Sequence, residues 1–526
     1  MLTVLRRDLP QWQRIRAEAL PMHAVEAAAT ARAAGDWRRA AEIARTDVDV
    51  DLDDVRRRFG DRAALAVEDD LRHLCLDLLW WHLPRHQGGM TTLQARVSAI
   101  LAPAAGADSA PLVKVRLPKS PTGPQRLQVS VTTMAELADE RWYVAPRYTW
   151  DVREAKTLRA AWGGSDERMP LLTRDGRPLP PEQLGVGDDR AAATERLYRQ
   201  LAEGDLIGAW QACGVDVSDV ETESLQRKAA SPTCPIGVAD QARAAARAFG
   251  VEQVNTLYGA TLDLTVDGMT AKAADLSEYL EVPVRVATAP VPIDLVLIAA
   301  GRQRPADLHP LMREALFPGV AFPSAPVVSR PRAEARPARV RCQGVWHRVG
   351  VVDGALRLHD HDDTEQLRER ALRSLGGQSS GCFAVQQGWT TGAARVPWAL
   401  EAQRRAISHR MLHGDIDWLL DGLDRGAIDP QMRDYHGWSL LHMAMWVDVE
   451  KVLPVLLDAG LPVDTRDRAG RTPLYLAVMN GGSPELMRRL LAAGADPRAE
   501  TLHGAYPSYV ARSRNGWQNL DFLAKL

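Results

Sequence analysis

Apolar residues at helical spacing dominate the first hundred positions of the chain. Ala24 to Ala44 consists almost entirely of good helix formers, and its interruption at Gly35-Asp36-Trp37 predicts a helical hairpin. Between Leu71 and Leu83, apolar residues recur every three or four positions, which predicts one helix with a buried face that ends at Pro84. We therefore expect residues 1–105 to form a mainly helical N-terminal region.

The apolar pattern changes after residue 110. Leu112–Leu117 and Leu127–Val131 alternate apolar and polar residues around a Pro/Gly-rich turn, which predicts a hairpin with one face in water. The pattern further predicts helices at Asp151–Trp162, Ala191–Ala212, Val238–Phe249 and Asp275–Leu280, and strands at Val254–Val266 and Val282–Ile298. This mixture predicts an α+β domain over residues 110–322.

Proline and arginine are concentrated in residues 323–341. This stretch holds four prolines and five arginines against one acidic residue, Glu334, which favours an extended, solvated linker. Val345 to His359 then alternates around Asp353-Gly354, a strong hairpin signal. Residues 342–399 are accordingly predicted to form a small α+β segment.

Two segments near the C-terminus repeat each other. The first runs from Asp434-Tyr-His-Gly437 to Gly460, and the second runs from Asp467-Arg-Ala-Gly470 to Gly494. The glycines of the two opening turns are 33 positions apart, and the two closing glycines are 34 apart. A turn followed by two helices at a period of about 33 residues resembles the ankyrin repeat.

The resemblance to ankyrin repeats covers residues 400–526. It comprises a degenerate opening unit, two well-matched units and a closing unit at Gly504–Leu526. It implies that His442 is a structural, hydrogen-bonded histidine, which Tyr475 replaces in the next repeat. The predicted fold class is therefore multidomain α+β, with a mainly helical N-terminal region, an α+β middle region and a C-terminal ankyrin α-solenoid.

The ankyrin resemblance also implies where a partner would bind, because the variable contact positions of this family lie at the turn tips and on the exposed side of each first helix. Carried over to this chain, these positions are Tyr435, His436, Trp438, Trp446, Arg466, Arg468, Arg471, Met479 and Asn480. Aromatic, arginine and methionine side chains are enriched at protein interfaces. The alternative is that Trp438 and Trp446 pack against an upstream domain and close the concave face within the molecule.

Composition restricts the classes of partner. The formal net charge is −2, so no global positive field recruits nucleic acid or an anionic membrane. The five cysteines are far apart and none forms a CxxC pair, which disfavours a disulfide framework and a thiolate zinc site. Charged N-terminal residues and short apolar runs predict a cytoplasmic protein without a membrane segment. The dominance of arginine over lysine, with abundant alanine and glycine, is typical of a bacterial protein.

Two stretches carry side chains that could bind a metal or act as a nucleophile. His359 and His361 could bind a metal from one strand face, but a charged strand end that runs into a helix capped by Asp362 or Asp363 is the favoured interpretation. Cys382 follows a glycine-rich turn, where a packed cysteine is favoured over a nucleophile because no base is assigned to it. We therefore predict no catalytic, metal or cofactor residue.

The leading functional hypothesis is a protein-interaction scaffold or adaptor whose ankyrin repeats bind a protein that the sequence does not name. One alternative is an enzyme in residues 110–400 for which the repeats recruit the substrate, with Cys382, His359 and His361 as its candidate residues. Another is an RNA-binding adaptor that uses the arginine-rich linker. The linker has no interleaved aromatic residue for base stacking, so nucleic acid is the less favoured partner.

Overall fold

The computed structural model describes residues 9–86, 91–101, 111–137, 140–220, 235–257, 262–273, 284–287, 292–322, 336–514 and 520–526. By its contacts the chain divides into two units. The first unit comprises Met1–Pro118 and Arg126–Val327, and the second comprises Lys119–Gln125 and Val328–Leu526. Among the helices that the structure describes, none is long and apolar enough to cross a lipid bilayer.

Helices and strands alternate along the described residues. The strands are β1 Thr46–Asp49, β2 Ser98–Leu101, β3 Leu112–Arg116, β4 Leu127–Thr132, β5 Trp142–Ala145, β6 Gln253–Leu257, β7 Leu262–Thr265, β8 Thr270–Ala273, β9 Arg285–Ala287, β10 Ala338–Cys342, β11 Val345–Val352 and β12 Ala355–Leu358. The helices up to residue 330 are α1 Leu9–Glu18, α2 Met22–Ala33, α3 Trp37–Ile43, α4 Leu52–Phe59, α5 Asp61–His73, α6 Leu76–His82, α7 Leu158–Ala161, α8 Arg190–Glu203, α9 Leu206–Ala212, α10 Val238–Phe249, α11 Ile293–Ala299 and α12 Pro310–Leu316. The later helices are α13 Asp363–Ser374, α14 Gly381–Thr391, α15 Trp398–Leu412, α16 Ile416–Asp424, α17 Leu440–Met443, α18 Val449–Asp458, α19 Pro473–Asn480, α20 Pro484–Ala492, α21 Pro507–Arg514 and α22 Asp521–Ala524.

The first unit is built on a nine-stranded sheet with the strand order β1-β4-β3-β2-β5-β9-β6-β7-β8. Strands β2, β5, β9 and β6 are parallel neighbours. On either side of them, β3 pairs with β4 and β7 pairs with β8 in antiparallel fashion. The central strands β2 and β5 are buried along their whole length, as parallel strands covered on both faces are. The β3–β4 pair confirms the hairpin predicted from alternation.

The described part of residues 1–105 contains two strands, β1 and β2, where the sequence pattern predicts mainly helices. Each is only four residues long, too short for a two-residue period to be read. The single helix predicted over Leu71–Leu83 is wrong, because α5 and α6 are separated at Leu74 and Cys75. There the Cys75 N–H donates to Trp150 O at 2.7 Å, so the backbone leaves the helix to pair with another segment. The predicted helical hairpin is confirmed by α2 and α3.

Several predicted elements of the middle region differ from the structure in type or in continuity. Ile293–Ala299 is the helix α11 and not part of a strand, since a short apolar run that is buried on most sides does not distinguish the two. Val254–Val266 holds two strands, β6 and β7, rather than one. The helix predicted over Ala191–Ala212 is interrupted at Gly204, which adopts a left-handed conformation between α8 and α9. Asp275–Leu280 lies outside the described residues.

Two other helices of the middle region differ in their agreement with the sequence pattern. Only Ala155–Ala161 is helical within the predicted Asp151–Trp162, as a turn of 3-10 helix followed by α7. By contrast, α10 has the predicted bounds Val238–Phe249. Ala239, Ala242, Ala245 and Ala246 are buried along one face, which is the pattern of an amphipathic helix.

The second unit begins with a three-stranded antiparallel sheet in the order β10-β11-β12. The turn between β11 and β12 is Asp353-Gly354, and both residues have positive φ, as the predicted two-residue hairpin requires. The last residues of the predicted linker, Ala338–Arg341, belong to β10, where burial alternates and both arginines face solvent. Residues 323–335 of that linker lie outside the described residues.

After α13 and α14, the described residues hold four helix pairs, from α15–α16 to α21–α22, in the range of the predicted ankyrin units. Thr472 caps α19 by accepting a hydrogen bond from Tyr475 N at 3.2 Å, and Pro473 is its first residue, as predicted. Gly460 and Gly494 follow α18 and α20 in left-handed conformations that a residue with a Cβ adopts only at a cost. The local signals in the sequence therefore coincide with the helix ends.

One hydrophobic core runs through the second unit. It joins Val340 and Leu358 of the small sheet, Trp389 of α14 and the repeat residues Leu441 and Leu474. The domain boundary between 342–399 and 400–526 stays a prediction, and side chains from both ranges contribute to this core.

The first unit offers a test of its buried charge. The Asp294 carboxylate accepts two hydrogen bonds of 2.8 Å from Arg16 and one of 3.2 Å from the Trp81 indole. We expect Asp294→Ala to destabilise this unit by about 3–5 kcal/mol, because it leaves a buried arginine without its counter-charge. Exposed Asp240, which pairs with Arg243 on the surface of α10, is the control, and its alanine variant costs about 0–1 kcal/mol.

The measurement is hydrogen–deuterium exchange of peptides that cover α1 and α11 in the full-length protein, at several denaturant concentrations. Equal protection in the two variants would contradict the assignment of Arg16–Asp294 as a supporting ion pair.

Candidate functional site

Two successive repeats open with a turn that is closed by a buried aspartate. Asp434 Oδ1 accepts hydrogen bonds from the N–H groups of His436 and Trp438, both at 2.8 Å. In the next repeat, Asp467 Oδ1 accepts from the N–H groups of Ala469 and Arg471 at 2.9 and 2.8 Å. Such bonds from a side chain to the backbone that follows it fix a tight turn, which explains why an aspartate opens these two repeats.

Asp467 also joins its repeat to the one before it. Its Oδ2 accepts from the Trp438 indole N–H at 3.0 Å and from Arg471 Nε at 2.7 Å. Trp438 is only 6% exposed, so it lies in the core rather than at the free surface where the family resemblance places it. The carboxylate thereby serves its own turn and the preceding repeat at the same time.

The tips of successive turns are connected by backbone hydrogen bonds. Arg468 N–H donates to His436 O at 3.2 Å, and Leu502 N–H donates to Ala469 O at 3.0 Å. We call residues 435–436, 468–469 and 502–503 the tip row. Because each tip is bonded to the next, the side chains of the tip row project from a backbone that is already fixed.

His442 bonds to its own repeat through one ring nitrogen and to the next repeat through the other. Nε2 donates to Arg471 O at 3.0 Å, so Nδ1 carries no proton and accepts from Ser439 N–H at 3.0 Å. Burial, the largest influence, lowers the pKa of His442 to about 4. The neutral imidazole is the form that makes both bonds, which agrees with the structural role implied by the family resemblance.

The predicted contact residues of the first tip lie on the surface. Tyr435 is 62% exposed and its ring stacks on His436 with 3.8 Å between centroids. His436 in turn lies 5.4 Å from the Trp438 ring, which lies 5.7 Å from Trp446. The aromatic residues thus form a continuous line from the tip into the core, and only its outer end is available for a partner.

The predicted arginines bond to backbone carbonyls around the turns. Arg466 donates to Gly470 O at 3.2 Å, and the Arg468 guanidinium donates to Gly392 O. Both residues are nevertheless exposed, whereas Arg471 is partly buried against Asp467. Met479, another predicted contact residue, packs against the core.

Residues Lys119–Gln125 belong to the second unit and contact the first helices of two repeats. The Trp446 indole N–H donates to Thr122 O at 2.8 Å, and Thr122 Oγ1 donates to Asn480 Oδ1 at 2.9 Å. Gly123 lies so close to Asn480 O that a Cβ at this position would overlap the carbonyl. Trp446 and Asn480, both predicted partner contacts, therefore already bind an upstream segment of the same chain.

Leu502 belongs to the tip row and was not among the predicted contact residues. It is 73% exposed, the most exposed apolar side chain of the tip row. The repeat register identifies it, because Thr501-Leu-His-Gly504 aligns with Asp434-Tyr-His-Gly437 and places Leu502 where Tyr435 stands. A comparison of turn with turn would have found it from sequence.

Among the described residues, two groups of side chains are close enough to hold a metal ion. One is Cys75, Asp77 and His309 in the first unit. His309 has both ring nitrogens engaged, since Nε2 bonds to Asp77 at 2.9 Å and Nδ1 accepts from Leu311 N–H at 3.3 Å. Arg32 already pairs with the Asp77 carboxylate, so this group is a buried hydrogen-bond network rather than a cation site.

The other group is Cys342, His347, His361 and Cys382. The sequence pairs His361 with His359, but His359 is exposed and its N–H extends the strand ladder to Arg348 O. Asp362 caps α13 by accepting from Glu365 N–H at 2.7 Å, as predicted. Cys342 and His347 also belong to this group, and the sequence pattern did not indicate either of them as a potential metal ligand.

Cys382 is completely buried. Burial and the neighbouring Cys342 raise the pKa of its thiol to about 12. A thiol in this state is a poor nucleophile at neutral pH. The arrangement therefore gives no support to Cys382 as the nucleophile of an enzyme.

The repeats define an ankyrin-repeat block. Residues 406–501 match the family model described as ankyrin repeats in three copies. Among curated proteins, the chain is similar to the B-cell lymphoma 3 protein homolog of Mus musculus, with 33% identity over 97 residues that cover 18% of this chain and 21% of the relative. It is also similar to the B-cell lymphoma 3 protein of Homo sapiens, with 33% identity over 129 residues and coverage of 18% and 28%. The chain thus spans less than a third of the length of these relatives.

The buried histidine predicts a pH dependence of the repeats. The pKa of His442 is about 4 in the folded chain and about 6.5 when unfolded, so the unfolded state binds the proton first as pH falls. The contribution of neutral His442 to the free energy of unfolding is therefore fully present above about pH 6.5. It decreases as the pH falls toward 4, and the loss is about 2–3 kcal/mol at pH 4.5. His442→Gln keeps a donor and an acceptor but does not titrate.

The measurement is hydrogen–deuterium exchange of peptides that cover α17 to α19, at pH 7 and pH 4.5. We expect the wild type to lose about 30- to 100-fold more protection between these pH values than His442→Gln does, after correction for intrinsic exchange rates. An equal loss in both proteins would show that protonation of other groups governs the acid lability.

Proposed function

We propose that the ankyrin block binds a protein partner through its tip row, and that the chain acts as a scaffold or adaptor in the cytoplasm of a bacterial cell. The observation that carries this proposal is the exposure of Tyr435 and Leu502, at 62% and 73%, on turns whose backbone is fixed by neighbouring turns. Folding leaves these large apolar side chains in water although it buries their neighbours. A partner that covers both side chains would remove their apolar area from water, which is the favourable contribution that we assign to them.

The rigidity of the tip row favours binding. A side chain on a preformed backbone loses little conformational freedom when a partner covers it, so more of the buried apolar area contributes to affinity. Tyr435 gains further order from its stacking on His436. We infer a partner surface with an apolar recess for Tyr435 or Leu502, surrounded by groups that accept hydrogen bonds from Arg468.

The nine predicted contact residues take different parts in this proposal. Tyr435, His436, Arg466 and Arg468 are exposed and would touch the partner directly. Trp438 and Arg471 hold Asp467 and would position the turns. Trp446 and Asn480 lie on the first helices and would contribute only if a partner displaced Lys119–Gln125. Met479 lies beside Asn480, is partly buried against the core and would contribute only its exposed part.

The test compares three versions of the full-length protein as bait in extracts of the source organism. The tip variant is Tyr435→Ala/Leu502→Ser. The matched control is Trp398→Ala/Leu375→Ser, which removes an exposed aromatic and an exposed leucine of the same unit away from the tips. Trp438→Ala is unsuitable, because loss of a buried tryptophan would unfold the repeats and remove binding indirectly.

We expect quantitative mass spectrometry to find a protein that the wild type and the control retain equally. The tip variant should retain it at least about tenfold less, the loss expected for one or two interface anchors at more than 1.4 kcal/mol each. Circular dichroism and thermal unfolding would establish that all three baits are folded. Equal retention by the tip variant, or an equal loss in the control, would overturn the tip row as the binding surface.

A further inference from the structure

Two of the four clustered ligand residues come from one hairpin. Cys342 is the last residue of β10, and His347 lies on β11. Val340 is opposite His347 in the antiparallel register, and Cys342 lies two residues further along the same strand. Side chains two apart on a strand share a face, so the register places Cys342 and His347 together.

The other two residues approach this face from the ends of helices. His361 lies between β12 and α13, and its Nε2 is 2.8 Å from His347 Nδ1. Cys382 is in the first turn of α14. One ligand atom from each of the four residues lies within 4.8 Å of all the others.

These separations fit one small tetrahedral ion. Zinc–nitrogen bonds of about 2.0–2.1 Å and zinc–sulfur bonds of about 2.3 Å place tetrahedral ligand atoms roughly 3.3–3.8 Å apart. The two facing imidazole nitrogens, at 2.8 Å, would separate slightly around an ion. All four ligand atoms lie within 4.8 Å of one another, so modest movements of the side chains would bring them to the spacing of tetrahedral ligands.

A carboxylate supports the cluster from behind. His361 Nδ1 bonds to Glu365 Oε2 at 3.0 Å, across one turn at the start of α13. A carboxylate accepts this bond, so Nδ1 carries the proton and the Nε2 lone pair points toward the other ligands. Histidines that bind metals usually donate their second ring nitrogen in this way.

The backbone is built to bring the two thiols together. Gly381 has a φ of +54°, and a Cβ at this position would lie 2.6 Å from Cys342 Sγ and 3.0 Å from Cys342 Cα. Only glycine allows α14 to begin this close to the end of β10. Both cysteines are free thiols and both are buried.

We propose that Cys342, His347, His361 and Cys382 bind one zinc ion in a tetrahedral site with two sulfur and two nitrogen ligands. This ligand set is one that Zn²⁺ prefers, whereas magnesium and calcium take oxygen ligands. Four protein ligands leave no position for water, so the zinc has a structural role and does not catalyse hydrolysis.

The site would fasten the start of α13 to the small sheet and to α14, which belong to the apolar core of the second unit. None of the α13 residues whose side chains the structure describes is buried, and Leu367 and Leu372 of this helix are exposed. The ligands connect β10, β11, the start of α13 and the start of α14. A metal supplies folding free energy where apolar burial is insufficient.

The first test is the zinc content of the full-length protein, purified without metal-affinity steps and measured by inductively coupled plasma mass spectrometry. We expect about one zinc per chain in the wild type and in the control Cys213→Ser, whose cysteine lies in the first unit. Cys342→Ser and Cys382→Ser should each lose most of it. Zinc retained at the wild-type level in both ligand variants would overturn the proposal.

A second measurement covers the case in which the ligand variants fail to fold. Wild-type protein is stripped with a chelator and titrated with Co²⁺, which should give the visible bands of a tetrahedral thiolate site and be displaced by Zn²⁺. Removal of zinc should increase hydrogen exchange in residues 338–391 and leave α19 and α20 unchanged. Three results would contradict the site. The stripped wild-type protein could stay folded and take up no cobalt, or the purified protein could hold stoichiometric iron in place of zinc. The third is a Cys342–Cys382 disulfide in protein that is purified under reducing conditions.

Discussion

The buried carboxylate of Asp467 is the interaction on which the repeat surface depends. A charge that is removed from water destabilises the fold unless hydrogen bonds replace its hydration, and this one accepts from two backbone N–H groups, one indole and one guanidinium. The backbone bonds close its own turn and the indole bond fixes the preceding repeat. The separation of exposed Tyr435 from buried Trp438 follows, because the same bond that holds Trp438 inside leaves the turn tip outside.

A comparable logic operates in the rest of the second unit. Asp429 Oδ2 accepts from the Trp389 indole at 2.9 Å and from Leu356 N–H at 3.0 Å, which ties the small sheet and α14 to the repeats. Burial raises the pKa of Asp429, and these hydrogen bonds oppose that rise. The proposed zinc ligands lie at the far end of the same sheet. Polar groups therefore join the small sheet to neighbouring helices at both ends of the sheet, in addition to the apolar core that they share.

The repeats could be predicted from sequence because their signals are local and recur. Thr472-Pro473, Gly460 and Gly494 each determine a helix end within a few residues. Equivalent signals recur at a period of 33 to 34 residues, so each supports the interpretation of the others. The apolar run at α11 carries no such second signal, so its helical form was missed. The proposed zinc ligands are separated by 5, 14 and 21 positions, and only the hairpin register and two helix starts bring them together. The absence of a CxxC pair is weak evidence against a zinc site, because residues far apart in sequence can lie close together on neighbouring strands and helices.

The central claim is that the tip row, held by Asp467, is a preformed surface for a protein partner. Its most direct measurement is photo-crosslinking from a benzophenone amino acid placed at Tyr435 in the full-length protein, carried out in the source organism. The account predicts crosslinks from position 435 to one discrete protein, and their loss when Leu502→Ser is added in the same tip row. Crosslinks to residues of the same chain alone, or the same products from a probe at exposed Trp398, would contradict the account.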